Sequence, residues 1–132
     1  MLLPLRADPA ALLALPWTAT RDEGVFLIPL AAAGEPGATS TRGLRAGGSL
    51  LIRMDPGCGY RPHRHVGTED VLVLCGAYRD ERGLHASGSH VHYAAGSSHA
   101  PIAEGRRGAL PSREFPACVL FVVVPLGIEL CG

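Results

Sequence analysis

The chain contains no lysine: all 12 of its basic residues are arginine. Without a lysine amine no protein Schiff base can form, which excludes pyridoxal-phosphate enzymes and lysine-dependent aldolases. Net charge is also lacking, because 12 acidic residues balance the 12 basic ones. Nothing in that balance favours nucleic acid or an anionic membrane as a partner. No two of the four cysteines, Cys58, Cys75, Cys118 and Cys131, stand in a C-x-x-C spacing, so zinc-thiolate and thioredoxin-like signatures are absent. Cys75 and Cys118 lie in apolar runs and read as small buried hydrophobes. Cys58 is the cysteine nearest the histidine-rich segment, and a reactive role there would require a lowered thiol pKa.

Long hydrophobic runs are missing too. No window approaches the ~20 uninterrupted apolar residues of a membrane helix. The apolar N-terminus, "MLLPLRADPAALLALPW", is broken by Pro4, Asp8 and Pro9 and has no basic stretch ahead of it, unlike a secretory signal. A cytoplasmic location is expected.

Helix signals are scarce, with 17 glycines and 11 prolines spread along the chain. Only the segment from Pro9 to Leu15 is expected to be helical, with Asp8 as cap and Pro9 in the first turn, ending by Pro16. The remainder is a series of short strands between turn signals. "GVFLIPL" (Gly24–Leu30) reads as an edge strand, since Pro29 cannot donate to a ladder. "GATSTRGLRAGG" (Gly37–Gly48) reads as a turn or hairpin tip. "SLLIRMDPG", "EDVLVLCGAYRDERG", "SHVHYAAGSSH" and "ACVLFVVVPLGIEL" supply further strands. This spacing predicts an all-β sandwich or barrel.

A length of 132 residues with 47% hydrophobic and 18% charged residues fits one globular domain. Such a domain can bury roughly two thirds of its unfolded surface without disulfides. Residues 1–23 are expected to form an arm carrying the short helix, and residues 24–132 the barrel. Val71–Leu74 and Val119–Val124 are apolar at both parities, so both faces of those strands should be covered. The outer cover would be the N-terminal segment or a second subunit, which points to a homodimer.

The chemistry concentrates in "RPHRHVGTEDVLVLCG", residues 61–76. In a strand, residues two apart share a face, so His63 and His65 point one way and Arg64 the other. Glu69 has the same parity but would lie ~20 Å from His63 along an extended chain. The chain must therefore reverse between His65 and Glu69, and Gly67 offers the turn. Glu69 then heads an inner row with Val71, Val73 and Cys75. A carboxylate buried there without a partner would be costly. A divalent cation or an arginine would each relieve it.

These residues resemble the first motif of the cupin superfamily, in which Gly57, His63, His65, Glu69 and Gly76 occupy the motif positions without a gap. Gly88, Gly96 and His99 match the second motif, while Ala94 stands where proline is usual and Ala103 where asparagine is usual. "LPW", "GVFLIPL", "RMDPG", "VLVLCGAYRDERG" and "GSSHAP" are similar to the cupin domains of ChrR-type anti-sigma factors and to stand-alone dioxygenase-like cupins. The resemblance implies a single-domain, jelly-roll-like double-stranded β-helix of roughly six to eight strands. It also implies His63, His65, Glu69 and His99 as ligands of one divalent metal. ChrR-type proteins carry a separate helical zinc-binding segment that grips the sigma factor. No matching His/Cys cluster occurs here, which argues against a sigma-factor partner.

Blander readings stand beside this one. His90 and His92 flank Val91 and should face outward. His85 lies in a charged turn and should be solvated. Tyr60 and Arg61 are placed either at the mouth of the metal site or on the surface. Phe26, Met54, Val71, Val73 and Phe121 would wall a pocket or simply pack the core. Imidazole suits Zn, Fe, Ni and Cu, and the carboxylate biases toward harder ions, so one divalent Fe, Zn, Ni or Mn ion is expected. A zinc ion with four protein ligands would be a closed, structural site. An octahedral ion with the same ligands leaves up to two positions open to an exogenous ligand such as a substrate enolate, with residual charge near +1. The expected function is an iron-type, dioxygenase-like enzyme acting on a small carbonyl compound. The alternative is a non-catalytic zinc cupin acting as a ChrR-like sensor or regulatory module.

Overall fold

The computed structural model describes residues 7–32, 47–114 and 116–131. One short helix opens it, α1 (Pro9–Leu13). The Asp8 carboxylate accepts from the Ala10 amide at 3.1 Å, and proline occupies the first turn, as the cap and proline preferences require. The Trp17 indole then donates to the Leu12 carbonyl at 2.9 Å. No helix among the described residues is long and apolar enough to cross a membrane.

The other regular elements among the described residues are strands. A sheet of six runs in the order β1 (Thr18–Ala19), β2 (Val25–Ala32), β3 (Gly48–Met54), β11 (Cys118–Val124), β5 (Glu69–Cys75), β8 (His90–Tyr93). Two sheets of three face it: β10 (Ile102–Ala103), β6 (Ala77–Asp80), β7 (Gly83–Ala86), and β12 (Ile128–Leu130), β4 (His63–His65), β9 (Ser98–His99). This is the jelly-roll-like double-sheet fold expected of a cupin.

The alternation in β3 and β5 is strict, with every second residue buried. Leu50, Ile52 and Met54 point inward from β3, and Glu69, Val71, Val73 and Cys75 from β5. β11 threads between them, with Val122 opposite both Leu50 and Val71. Tyr78 of β6, Ala103 of β10 and Ile128 of β12 join the same core cluster, so the small sheets close over the large one. Each fully buried Leu or Val here contributes about 1.5–3 kcal/mol.

Pro29 does not put β2 at the sheet edge throughout. β1 pairs with it at Phe26 and Leu27, and Pro29 lies beyond that pairing, where the ladder to β3 is bulged. The outer row, Leu51, Leu72, Leu74, Phe121 and Val123, is half-buried, so cover on the second face is partial. The turn expected over Gly37–Gly48 lies, up to residue 46, outside the described residues.

Gly57 sits at φ 71°, and a Cβ there would approach the Arg107 amide nitrogen to 2.2 Å. Both the left-handed backbone and the contact exclude a side chain. Gly57→Ala should destabilise the fold by about 2 kcal/mol or more, read as a lower denaturant midpoint.

Candidate metal centre

β4 is only three residues long, yet it is paired on both sides. Leu130 and Ile128 of β12 lie opposite His63 and His65, and on the other edge His63 lies opposite His99 of β9. Directly opposed residues of an antiparallel pair project to the same side. The ladder therefore sets His99 against His63, and the two-residue period sets His65 on the same face. Arg64 points outward and pairs with Glu129 at 3.0 Å. The chain then reverses, and Glu69 enters from the facing sheet as the first residue of β5.

The four side chains that the sequence singled out thus meet. One donor atom from each lies within 4.8 Å of all the others. His65 is 0%, His63 2%, Glu69 3% and His99 6% exposed. Ring centroids are 4.5 Å apart for His63 and His99, 5.1 Å for His63 and His65, and 4.8 Å for His65 and His99.

Each histidine is held by its outer nitrogen. His63 Nδ1 lies 3.0 Å from the Arg61 carbonyl, to which it donates. His65 Nδ1 lies 3.0 Å from the Ser97 hydroxyl. That hydroxyl donates to the Ala94 carbonyl, so it must accept from the ring. His99 Nδ1 lies 2.9 Å from Asp80 Oδ2. All three anchors fix the tautomer that leaves an Nε2 lone pair. His65 Nε2 and His99 Nε2 are buried without a hydrogen-bond partner. They approach Glu69 Oε1 to 3.1 and 3.6 Å without making a hydrogen bond to it. Buried polar atoms are rarely left in this state. Imidazole lone pairs converging on a carboxylate are the donor set of a divalent cation, so the residues present fit such an ion. No arginine among the described residues forms an ion pair with Glu69.

Asp80 extends the cluster in a way the sequence did not reveal. Its side chain has no exposed surface. It accepts from the Tyr93 hydroxyl at 2.5 Å, from His99 at 2.9 Å, from His85 at 2.9 Å and from the Arg82 amide at 3.0 Å. Tyr93 OH is in turn 2.7 Å from Tyr78 OH. Two buried carboxylates therefore flank the imidazoles. With a divalent ion the whole cluster sums to about zero rather than the +1 expected from Glu69 alone.

Burial pushes the Asp80 carboxyl up, but its bonds to Tyr93, His99 and His85 outweigh this and hold it at about 2. Burial likewise opposes ionisation of Glu69, and the His65 and His99 rings bring it to about 2. Burial brings His63 down to about 4. It also works against a charged His99, but Glu69 and Asp80 outweigh it and raise that residue. Burial pushes the Tyr78 and Tyr93 phenols up.

These directions give the metal-free protein a defined acid response. His63 takes up its proton more readily when unfolded, so its contribution is lost as pH falls from about 6.5 to about 4. His99, with its raised value, acts above about 6.5: its protonated form stabilises, and that contribution is lost as pH rises. Asp80 and Glu69 then lose their contributions between about 4 and about 2. For Asp80 this amounts to about 2.5 kcal/mol. Thermal unfolding in chelator should show the steepest drop below pH 4, and Asp80→Asn should flatten that limb.

A small cavity of about 20 Å³ adjoins the cluster, room for about one water. Glu69, His63 and His99 border it, with Ile52, Met54, Val71, Leu120 and Val122 as apolar wall and Tyr60, Tyr78 and Pro101 completing it. Tyr60 is the one lining residue that is not buried, so it marks the mouth.

The other candidates fall elsewhere. Arg61 pairs with Asp22 at 3.0 Å on the surface. Met54 and Val71 line the cavity, Val73 is core, and Phe26 lies on the outer face under the Arg53 guanidinium at 4.5 Å. Phe121 belongs to that outer row as well. Cys58 is buried and its thiol is pushed up by that burial, which disfavours a reactive thiolate. His90 and His92 face outward, as their register with Val91 requires. His85 differs from expectation: it is only 13% exposed. The tight β6–β7 hairpin pairs Asp80 with Gly83 and Tyr78 with His85, which turns the ring toward the Asp80 carboxylate.

The double-sheet fold and a three-histidine, one-glutamate cluster between its layers define a metal-binding type of cupin. Residues 9–111 match the ChrR cupin-like domain, and the chain belongs to that family. No curated protein matches it. Among solved structures it is similar to ChrR of Rhodobacter sphaeroides, an anti-sigma factor in complex with SigE. The two are 26% identical over 86% of this chain and 50% of that one, with a TM-score of 0.62. The chain thus spans about half the length of that protein. An RmlC-like cupin from Ralstonia eutropha is 21% identical over 89% of this chain and 67% of its own, with a TM-score of 0.63. An acetylacetone dioxygenase from Acinetobacter johnsonii is 9% identical over 96% of this chain and 72% of its own, with a TM-score of 0.59. These last two share the fold.

Proposed function

We propose that the chain is a metal-dependent, dioxygenase-like oxidoreductase acting on a small carbonyl compound, with one iron-type divalent ion held by His63, His65, Glu69 and His99. The observation that carries this is the cavity on one side of the donor cluster. A closed structural site would have protein on every side. When bound, the ion supplies Lewis acidity and a redox centre at that cavity. The chain supplies the surroundings. Ile52, Met54, Val71, Leu120 and Val122 keep the space apolar and dry, which strengthens electrostatic interactions within it. Tyr78 borders it, and its hydroxyl is held by that of Tyr93. A carbonyl compound exceeds one water in size, so it enters as Tyr60 moves. Tyr60→Ala should accordingly speed removal of the ion by a chelator several-fold, followed by stopped-flow absorbance.

Elemental analysis of protein purified without added metal, followed by oxygen uptake with small β-diketones and hydroxyaryl ketones, tests the proposal. Iron-dependent uptake that Glu69→Gln abolishes supports it. Stoichiometric zinc with no uptake after iron loading sinks it and favours the second reading, a zinc-binding regulatory module. The 26% identity to the anti-sigma protein over most of this chain supports that reading, as does the near-zero charge of the cluster. A sigma-factor pull-down addresses it directly. The four free cysteines fit a reducing, cytoplasmic setting. The half-buried outer row is covered by a second copy in this proposal, read from the sedimentation mass.

A further inference from the structure

A second set of cation-binding side chains lies outside the buried cluster. β8 presents His90 and His92 on its outward face, with side chains 47% and 56% exposed. The neighbouring strand β5 presents Asp70, which lies opposite His92 in the ladder. His90 Nε2 is 2.8 Å and His92 Nδ1 is 2.9 Å from one and the same atom, Asp70 Oδ1. Two ring nitrogens from separate residues therefore converge on a single carboxylate oxygen, at separations that three ligand atoms of one ion also show.

The arrangement repeats the buried one. There, His63 and His65 stand two apart on β4 and receive a carboxylate from Glu69. Here, His90 and His92 stand two apart on β8 and receive one from Asp70. Glu69 and Asp70 are consecutive in β5, and consecutive strand residues face opposite ways. One strand thus offers a carboxylate to a histidine pair on each of its faces.

We propose that His90, His92 and Asp70 form a second metal site, on the surface, for a borderline divalent cation of the nickel, copper and zinc class. Two imidazoles and one carboxylate suit those ions, and water completes the shell. Each ring is exposed, so the proton on its inward nitrogen can move to the outer one and be hydrated, which frees the lone pair that faces Asp70. Arg82 donates to the His92 carbonyl at 2.6 Å and anchors the backbone just beyond the second ring. β8 is the outermost strand of the six-stranded sheet, so an ion held here ties that edge to its neighbour. Binding only to the folded chain also raises its stability.

The test uses the full chain with the buried cluster preloaded with zinc, in a Cys131→Ser background because that thiol is exposed. Nickel is titrated by calorimetry, and copper(II) is followed by electron paramagnetic resonance. One further equivalent should bind at sub-millimolar metal, with nitrogen splitting from two imidazoles. Asp70→Asn should weaken it roughly tenfold or more. The His90→Ala/His92→Ala variant should lose it and keep the first equivalent. A further equivalent that survives in the double variant overturns the proposal. So does a parent chain that binds none, in which case the two rings only hydrogen-bond to Asp70.

Discussion

Glu69→Gln protein should purify nearly free of metal, with affinity for a divalent ion reduced by at least about 100-fold. Glutamine keeps the volume of the side chain and removes its charge. Three imidazoles would then face a neutral amide in a space closed to water, and a cation entering would lose much of its charge compensation. The metal-free variant should in addition lose the stability that the ionised Glu69 draws from the His65 and His99 rings, a loss that vanishes as pH falls toward 2. Chelator competition measures the first effect and thermal unfolding in chelator the second. A ligand role predicts that metal affinity falls in addition to stability. If Glu69 only packs the core, stability falls and metal affinity holds.

Asp80→Ala should destabilise the protein by about 3–5 kcal/mol and weaken metal binding about 10- to 100-fold. The substitution leaves the Tyr93 hydroxyl, His99 Nδ1, His85 Nε2 and the Arg82 amide without their shared acceptor. Freed of Asp80, His99 can rotate or place its proton on Nε2, which removes a lone pair from the cluster. Denaturant unfolding and chelator competition read the two effects. Asp80→Asn retains an acceptor without the charge and should fall between parent and Ala in both. An Asn variant with unchanged metal affinity and unchanged stability would leave Asp80 with no part in positioning His99.

The sequence made His63, His65 and Glu69 legible because the evidence for them is local. A two-residue period sets the histidine face, and a glycine turn of three residues brings the glutamate back. His99 is different: its place depends on the pairing of β4 with β9, 36 residues apart in register, and only the resemblance to a known motif pointed to it. Asp80 and Tyr93 were not legible at all. "RDERG" has the composition of a solvated turn, and nothing in it shows that one of its four charges folds inward. That follows from the β6–β7 hairpin register, which also withdraws His85 from solvent. The outward direction of His90 and His92 was legible from Val91. Their convergence on Asp70 was not, because it needs the β5–β8 register.

The strand that carries two of the three cluster histidines owes its position to the last segment in the described order. β12 borders it along one edge, Gly127 O accepts from the Val66 amide, and the Cys131 amide reaches Pro62 O. During translation, His63 and His65 leave the ribosome some sixty residues before this partner does. The pocket of donors therefore has no early rehearsal. It can close fully only once synthesis has passed Leu130, because β12 is one of the two strands that flank β4.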